Sequence, residues 1–166
     1  MTPKKLLGVL LVACIALGCT RDDICPEDTP TTPLLIVTFK DFADGQTPKS
    51  VPNLQVLDAF DTSIQVLGSA TTDSIAIPLR NFNDNTQFLF IKDSNSEDPE
   101  VLNADRIQIS YTLRDVYVNR ACGFIANYDD LGVLLDDSDD DTWIISLQTL
   151  VNTIDNQDET HITILH

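Results

Sequence analysis

The chain has 166 residues and a formal net charge of −16, with only 10 Lys and Arg. Nucleic-acid binding needs clustered cations on phosphates, so this charge argues against a nucleic-acid partner. The acid is 22 Asp against 4 Glu. Asp favours turns and caps, and the strong helix formers Glu and Lys are scarce, so composition points away from helices toward an all-β chain with Asp-rich turns.

Residues 1–5 form a short basic start ending in Lys4-Lys5, and Leu6 to Leu17 is an apolar run of a dozen residues. A bilayer-spanning helix needs roughly 20 apolar residues. A basic start, a short apolar stretch and small residues at its end are the pattern of a secretory signal peptide. The run closes on Ala16-Leu17-Gly18-Cys19. This resembles the lipobox of bacterial lipoproteins, with Ala16 where Leu is usual. The resemblance implies that residues 1–18 are removed and that a lipid on Cys19 makes the membrane a partner. The alternative is ordinary secretion with Cys19 a plain thiol. Thr20-Arg21-Asp22-Asp23 resembles the surface-export signal of Bacteroidetes lipoproteins, with Arg in place of the usual Lys. Together these place the protein in the cell envelope at the outer membrane, on its periplasmic face or the cell surface.

Without residues 1–18, 148 residues remain, enough for one domain with a core. Loss of Lys4 and Lys5 leaves a charge near −18, so anionic lipid heads would repel the domain and the lipid itself has to be the anchor.

Four cysteines are present. Cys14 leaves with the signal peptide and Cys19 takes the lipid. Cys25 and Cys122 remain, and an oxidising compartment favours a disulfide between them. It would close a loop of nearly 100 residues, contributing about 4–5 kcal/mol at most by the chain-entropy model. Its expected task is to tie the tether to a core strand. A redox pair is the other reading, but no C-x-x-C and no nearby His accompany these cysteines.

Residues 19–33 read as a polar tether, stiffened by Pro26, Pro30 and Pro33. Residues 34–166 read as the folded domain. Strands are expected at 34–39, 53–60 and 64–67. Residues 73–79 alternate strictly, and Pro78, which cannot donate to a ladder, puts that strand at an edge. Further strands are expected at 86–92 and 106–113, then a turn at Arg114-Asp115 and a returning strand at 116–122. On that returning strand Val116, Val118 and Cys122 share an inward face. Residues 143–154 read as a strand, although Trp143, Ile144, Leu147, Leu150, Val151 and Ile154 also fit a helix. A turn at 155–159 and a closing strand at 161–165 complete the chain. Seven to nine short strands with polar turns predict a two-sheet antiparallel sandwich, immunoglobulin-like or prealbumin-like.

The mature chain resembles a family of small Bacteroidetes lipoproteins of unknown function. The residues that carry the resemblance are the lipobox with Cys25 close behind it, Ile109-Ser110-Tyr111, and Tyr117-Val118-Asn119-Arg120-Ala121-Cys122-Gly123-Phe124. Trp143-Ile144 and His161-Ile162-Thr163-Ile164 extend it. The resemblance implies one exported domain with paired cysteines and supplies no activity.

No catalytic constellation is legible. A serine or cysteine hydrolase needs a base, usually His; only His161 and His166 exist, and no G-x-S-x-G is present. No cofactor is expected. The acidic run 136–141 offers Asp136, Asp137, Asp139 and Asp141 as candidate calcium ligands. Its spacing is not that of an EF-hand, and a solvated turn is the expectation. His161 and His166 with carboxylates could hold zinc. His161, however, falls opposite the apolar face of its strand and reads as a surface or cross-strand residue. The expected function is a non-catalytic structural or interaction module of the envelope, with a protein partner there. The alternative is a ligand-binding module for glycan or calcium. An exposed cluster of Trp143 with Tyr111, Tyr117 or Tyr128 would favour glycan, and their burial the first reading.

Overall fold

A computed structural model of the chain describes residues 24–98, 101–136 and 141–166. Among these are nine strands and no helix: β1 (Leu35–Lys40), β2 (Val51–Asp58), β3 (Gln65–Thr72), β4 (Ser74–Ile77), β5 (Asn85–Lys92), β6 (Asn103–Asn119), β7 (Gly123–Asp136), β8 (Ser146–Thr149) and β9 (Ile162–Leu165). They form a four-stranded sheet, β4-β1-β9-β8, and a five-stranded sheet, β3-β2-β5-β6-β7. The expected all-β, two-sheet sandwich is therefore the observed architecture. The chain divides into two compact units. One comprises residues 32–116 with 126–166, and the other contains residues 24–31 with 117–125.

The first unit holds the sandwich. Period-two alternation puts Leu35, Val37 and Phe39 of β1 and Ile75 and Ile77 of β4 into the core. Leu54 and Val56 of β2, Phe88 and Phe90 of β5, and Ile107, Ile109 and Tyr111 of β6 supply the other side. The β4 strand is an edge strand, with Pro78 just beyond its end, as the missing amide donor requires.

One pairing departs from an antiparallel pattern. β9 runs parallel to β1, with Val37 opposite Ile162 and Phe39 opposite Ile164. All four residues of β9 are buried, which is the burial of a parallel strand covered on both faces. Thr163 finds a partner there in Thr38, Oγ1 to Oγ1 at 3.1 Å.

Two of the expected elements are corrected. There is no turn at Arg114-Asp115: β6 runs on to Asn119, and the segment 116–122 is not a returning strand. Arg114 is held across to Asp129 on β7, Nε to Oδ2 at 2.7 Å, so the polar pair belongs to a strand surface rather than a turn. The true return is β7, at 123–136. Between 143 and 154 the strand reading holds over the helical one, but only Ser146–Thr149 is strand. Trp143 and Ile144 are adjacent and both buried, which breaks alternation. Side-chain bonds impose this: the Trp143 indole N–H donates to the Phe90 carbonyl at 3.2 Å, and the Ile144 amide donates to Asp105 Oδ2 at 2.7 Å.

A polar network locks one end of the sandwich. The Tyr111 hydroxyl donates to the Arg80 carbonyl at 2.7 Å and lies 2.7 Å from Thr86 Oγ1, which accepts the Arg80 amide at 2.9 Å. The Arg80 guanidinium pairs with Asp58, Nη2 to Oδ2 at 2.6 Å, and sits 4.6 Å over the Phe60 ring. Burial works against ionising Asp58. The bond from Arg80 and the amides of Phe60 and Asp61 outweigh it and lower the pKa. The tether also ends earlier than expected. Pro33 is buried, and Thr32 Oγ1 accepts the Ala126 amide at 3.1 Å, so the last residues of 19–33 belong to the domain.

Candidate functional site

The second unit is a hairpin tip with a stretch of tether. Its turn is built by Asn119, whose Oδ1 accepts the amides of Ala121 at 2.9 Å and Cys122 at 2.8 Å. Asn does this because its short side chain reaches backbone two and three residues on. Gly123 follows with φ of 73°, a left-handed conformation that side chains resist. Cys122 therefore sits in the turn, not on the inward face of a strand. Its disulfide to Cys25, with Cα atoms 4.9 Å apart, ties the tether to this tip rather than to a core strand. A turn closed by the Thr29 amide on the Pro26 carbonyl, at 3.2 Å, follows Cys25.

The tip exposes several large apolar side chains. Tyr117 and Phe124 meet edge to face with ring centroids 5.3 Å apart, yet are 55% and 66% exposed. Ile24 is 81% exposed. An open hollow of about 410 Å³ lies between Ile24 and Pro26 on one side and Tyr117 to Ala121 on the other. Ile24 and Phe124 were not legible as a surface in the sequence. The signal for Phe124 is Asn119 four residues before Gly123, a turn that brings the residues either side of it together; Ile24 is placed there only by the Cys25–Cys122 bond.

The other sequence candidates are dispersed. Cys19 lies outside the described residues, as do Asp137 and Asp139 of the acidic run. Asp136 ends β7 with Oδ2 3.9 Å from the Arg106 Nε. Asp141 is described, and no group of three or more His, Cys, Asp or Glu positioned for a metal occurs among the described residues. Trp143, Tyr111 and Tyr128 are buried, so of the four aromatics only Tyr117 faces solvent.

His161 is not a surface residue. It is fully buried, and its Nδ1 accepts the Ile36 amide at 2.9 Å. Asp155, Asn156 and Glu159 of the β8–β9 connection lie near enough to act on its ring. His166 is buried too, its ring edge-on to Trp143 at 5.5 Å and to Phe39 at 6.3 Å, with Nε2 3.1 Å from the Lys49 carbonyl. With Nδ1 of His161 occupied by an amide, that lone pair is withdrawn from metal binding.

Burial lowers the pKa of His161, against the opposing pull of Glu159, the Asn156 carbonyl and Asp155. Burial lowers that of His166 as well, against the Lys49 carbonyl and with Lys49 and Lys92 adding to the effect. Burial favours the neutral form of both in the fold, while the unfolded side chains titrate near 6.5, so the unfolded chain takes up protons first on acidification. The histidines' contribution to stability is thus full above about pH 6.5 and falls as pH drops through and below that value. Urea midpoints measured from pH 8 to pH 5 should decline in this window. The decline should shrink in His161→Gln, which keeps an acceptor for Ile36 but cannot be charged. A midpoint flat from pH 8 to pH 5 contradicts this assignment.

The sequence profile of a family of unknown function (DUF6452) matches residues 53–166, from within β2 to the end of β9. No curated protein and no solved structure matches the chain.

Proposed function

We propose that this chain, which belongs to the family of unknown function DUF6452, is a lipid-anchored, non-catalytic interaction module of a bacterial cell envelope, held at the outer membrane through Cys19. The observation that carries the reading is the Cys25–Cys122 disulfide. Such bonds persist in oxidising compartments such as the periplasm and the cell surface. It lies six residues beyond the cysteine that the apolar run and small residues single out for acylation. The two histidines, the bases a hydrolase would draw on, are engaged in the packing and backbone bonding of the sheet. Burial of Trp143, Tyr111 and Tyr128 breaks up the Trp–Tyr cluster expected of a glycan binder and favours an interaction module over that alternative.

Labelling cells with a fatty-acid analogue should mark the wild type and leave Cys19→Ala unmarked. The wild type should partition into the detergent phase and the variant into the aqueous phase. Equal labelling of the two, or a mature protein that retains residues 1–18, refutes the anchor.

A further inference from the structure

We infer that the disulfide-bonded hairpin tip, with Ile24, Tyr117 and Phe124 at its surface, rests on the membrane and inserts these side chains among zwitterionic lipid headgroups. The inference rests on the lipid-anchored reading above. Its first support is reach. Ile24 is five residues from Cys19, and a fully extended chain covers at most about 3.3–3.6 Å per residue, so the two are within about 18 Å of one another. Acyl chains on Cys19 hold that residue at the edge of the hydrocarbon, and the headgroup layer beyond it is only about 5–7 Å thick on each side. Cys25 is bonded to Cys122, so the hairpin tip stays on this short leash, close enough for its side chains to meet the headgroups.

The second support is the chemistry of the surface. Two aromatics in edge-to-face contact and an isoleucine stand exposed together in one unit. Tyr is a side chain that settles at the headgroup level, with an apolar ring and a polar end. The third is charge. The described residues of this unit carry only Glu27, Asp28 and Arg120, in a chain whose net charge is −16. A nearly neutral tip suits a zwitterionic surface, while the acidity of the remainder disfavours an anionic one. Three side chains make a weak contact in a free domain. Tethering raises the effective concentration to the millimolar range, which makes a weak contact persistent.

The test uses the full chain, lipidated in bacteria and reconstituted into phosphatidylcholine vesicles, with Phe124→Trp and separately Tyr117→Trp as reporters. Intact mass first establishes the lipid on Cys19; its absence overturns the anchored reading and with it the premise of this one. On lipidated protein, the indole introduced at either position should be blue-shifted and quenched by brominated phosphatidylcholine beyond the wild-type background. Both effects should weaken when phosphatidylglycerol replaces part of the phosphatidylcholine, and both should vanish in Cys19→Ala. Lipidated protein whose added indole emits as in water and is untouched by brominated lipid overturns the inference. A blue shift that arises only in envelope extracts, without lipid quenching, overturns it in favour of a protein partner at the tip.

Discussion

Replacing Tyr128 with Ala should lower the unfolding free energy by about 3–5 kcal/mol, the range for removing a fully buried aromatic ring. Tyr128 is fully buried on β7 and meets Tyr111 edge to face at 4.9 Å. Its hydroxyl reaches the Leu79 carbonyl at 3.3 Å, and its backbone pairs twice with Ile154, at 3.1 and 2.8 Å. Burial, and then the neighbouring Tyr111, push its phenol up to about 12, so the ring stays neutral under ordinary conditions. Removing the ring opens a cavity between the sheets and takes a partner from Tyr111, which itself anchors the Arg80 network. Tyr128→Phe keeps the ring and loses only a long hydrogen bond, so it should cost about 1 kcal/mol. Urea midpoints at unchanged slope measure both. An Ala variant no less stable than the Phe variant would show that Tyr128 is not a core element.

Removing the Cys25–Cys122 bond should cost about 2–5 kcal/mol. The two residues are 97 apart in sequence. The cross-link therefore restricts a long stretch of the unfolded chain, and this is where most of its effect arises in the chain-entropy account. In a domain of this size each kcal/mol moves the melting temperature by about 2–4 °C. The double variant Cys25→Ser with Cys122→Ser should melt correspondingly lower, and its midpoint should no longer respond to reductant. A second consequence is local. Asn119 and Gly123 shape the turn, but the disulfide is what holds residues 24–31 to it. Amide exchange should rise in 24–31 and 117–125 before it rises in β1, β5 or β9. A serine variant as stable as the oxidised wild type, within about 0.5 kcal/mol, would assign the bond no structural weight.

The strand content was legible because most strands obey one rule. Where one face of a strand is buried and the other is not, side chains alternate, as in Leu35, Val37 and Phe39 or Ile107, Ile109 and Tyr111, and period two can be read without knowing any neighbour. Pro78 marked an edge for a reason equally local, its missing amide. The cysteine pair followed from counting thiols. The reading failed where a residue's role is set by something distant in sequence. Arg114 and Asp115 look like a turn because charge and turn propensity coincide; Asp129, 15 positions on, makes them strand. Trp143 and Ile144 break alternation because Phe90 and Asp105 hold them. His161 reads as exposed from its strand parity, and only its burial beside β1, with Nδ1 accepting the Ile36 amide, makes it a neutral acceptor.

The candidate site divides along the same line. Sequence alone determined that the protein is acidic, rich in strand and furnished with two cysteines able to pair, because composition and period need no partners. Tertiary structure decided that β9 lies parallel to β1, that Cys122 occupies a turn, and that Tyr111, Tyr128 and Trp143 are core while Tyr117 and Phe124 face outward. An aromatic side chain has the same identity in either place. Whether it is covered depends on which strand arrives beside it, and that is settled only by pairings between residues far apart in the chain.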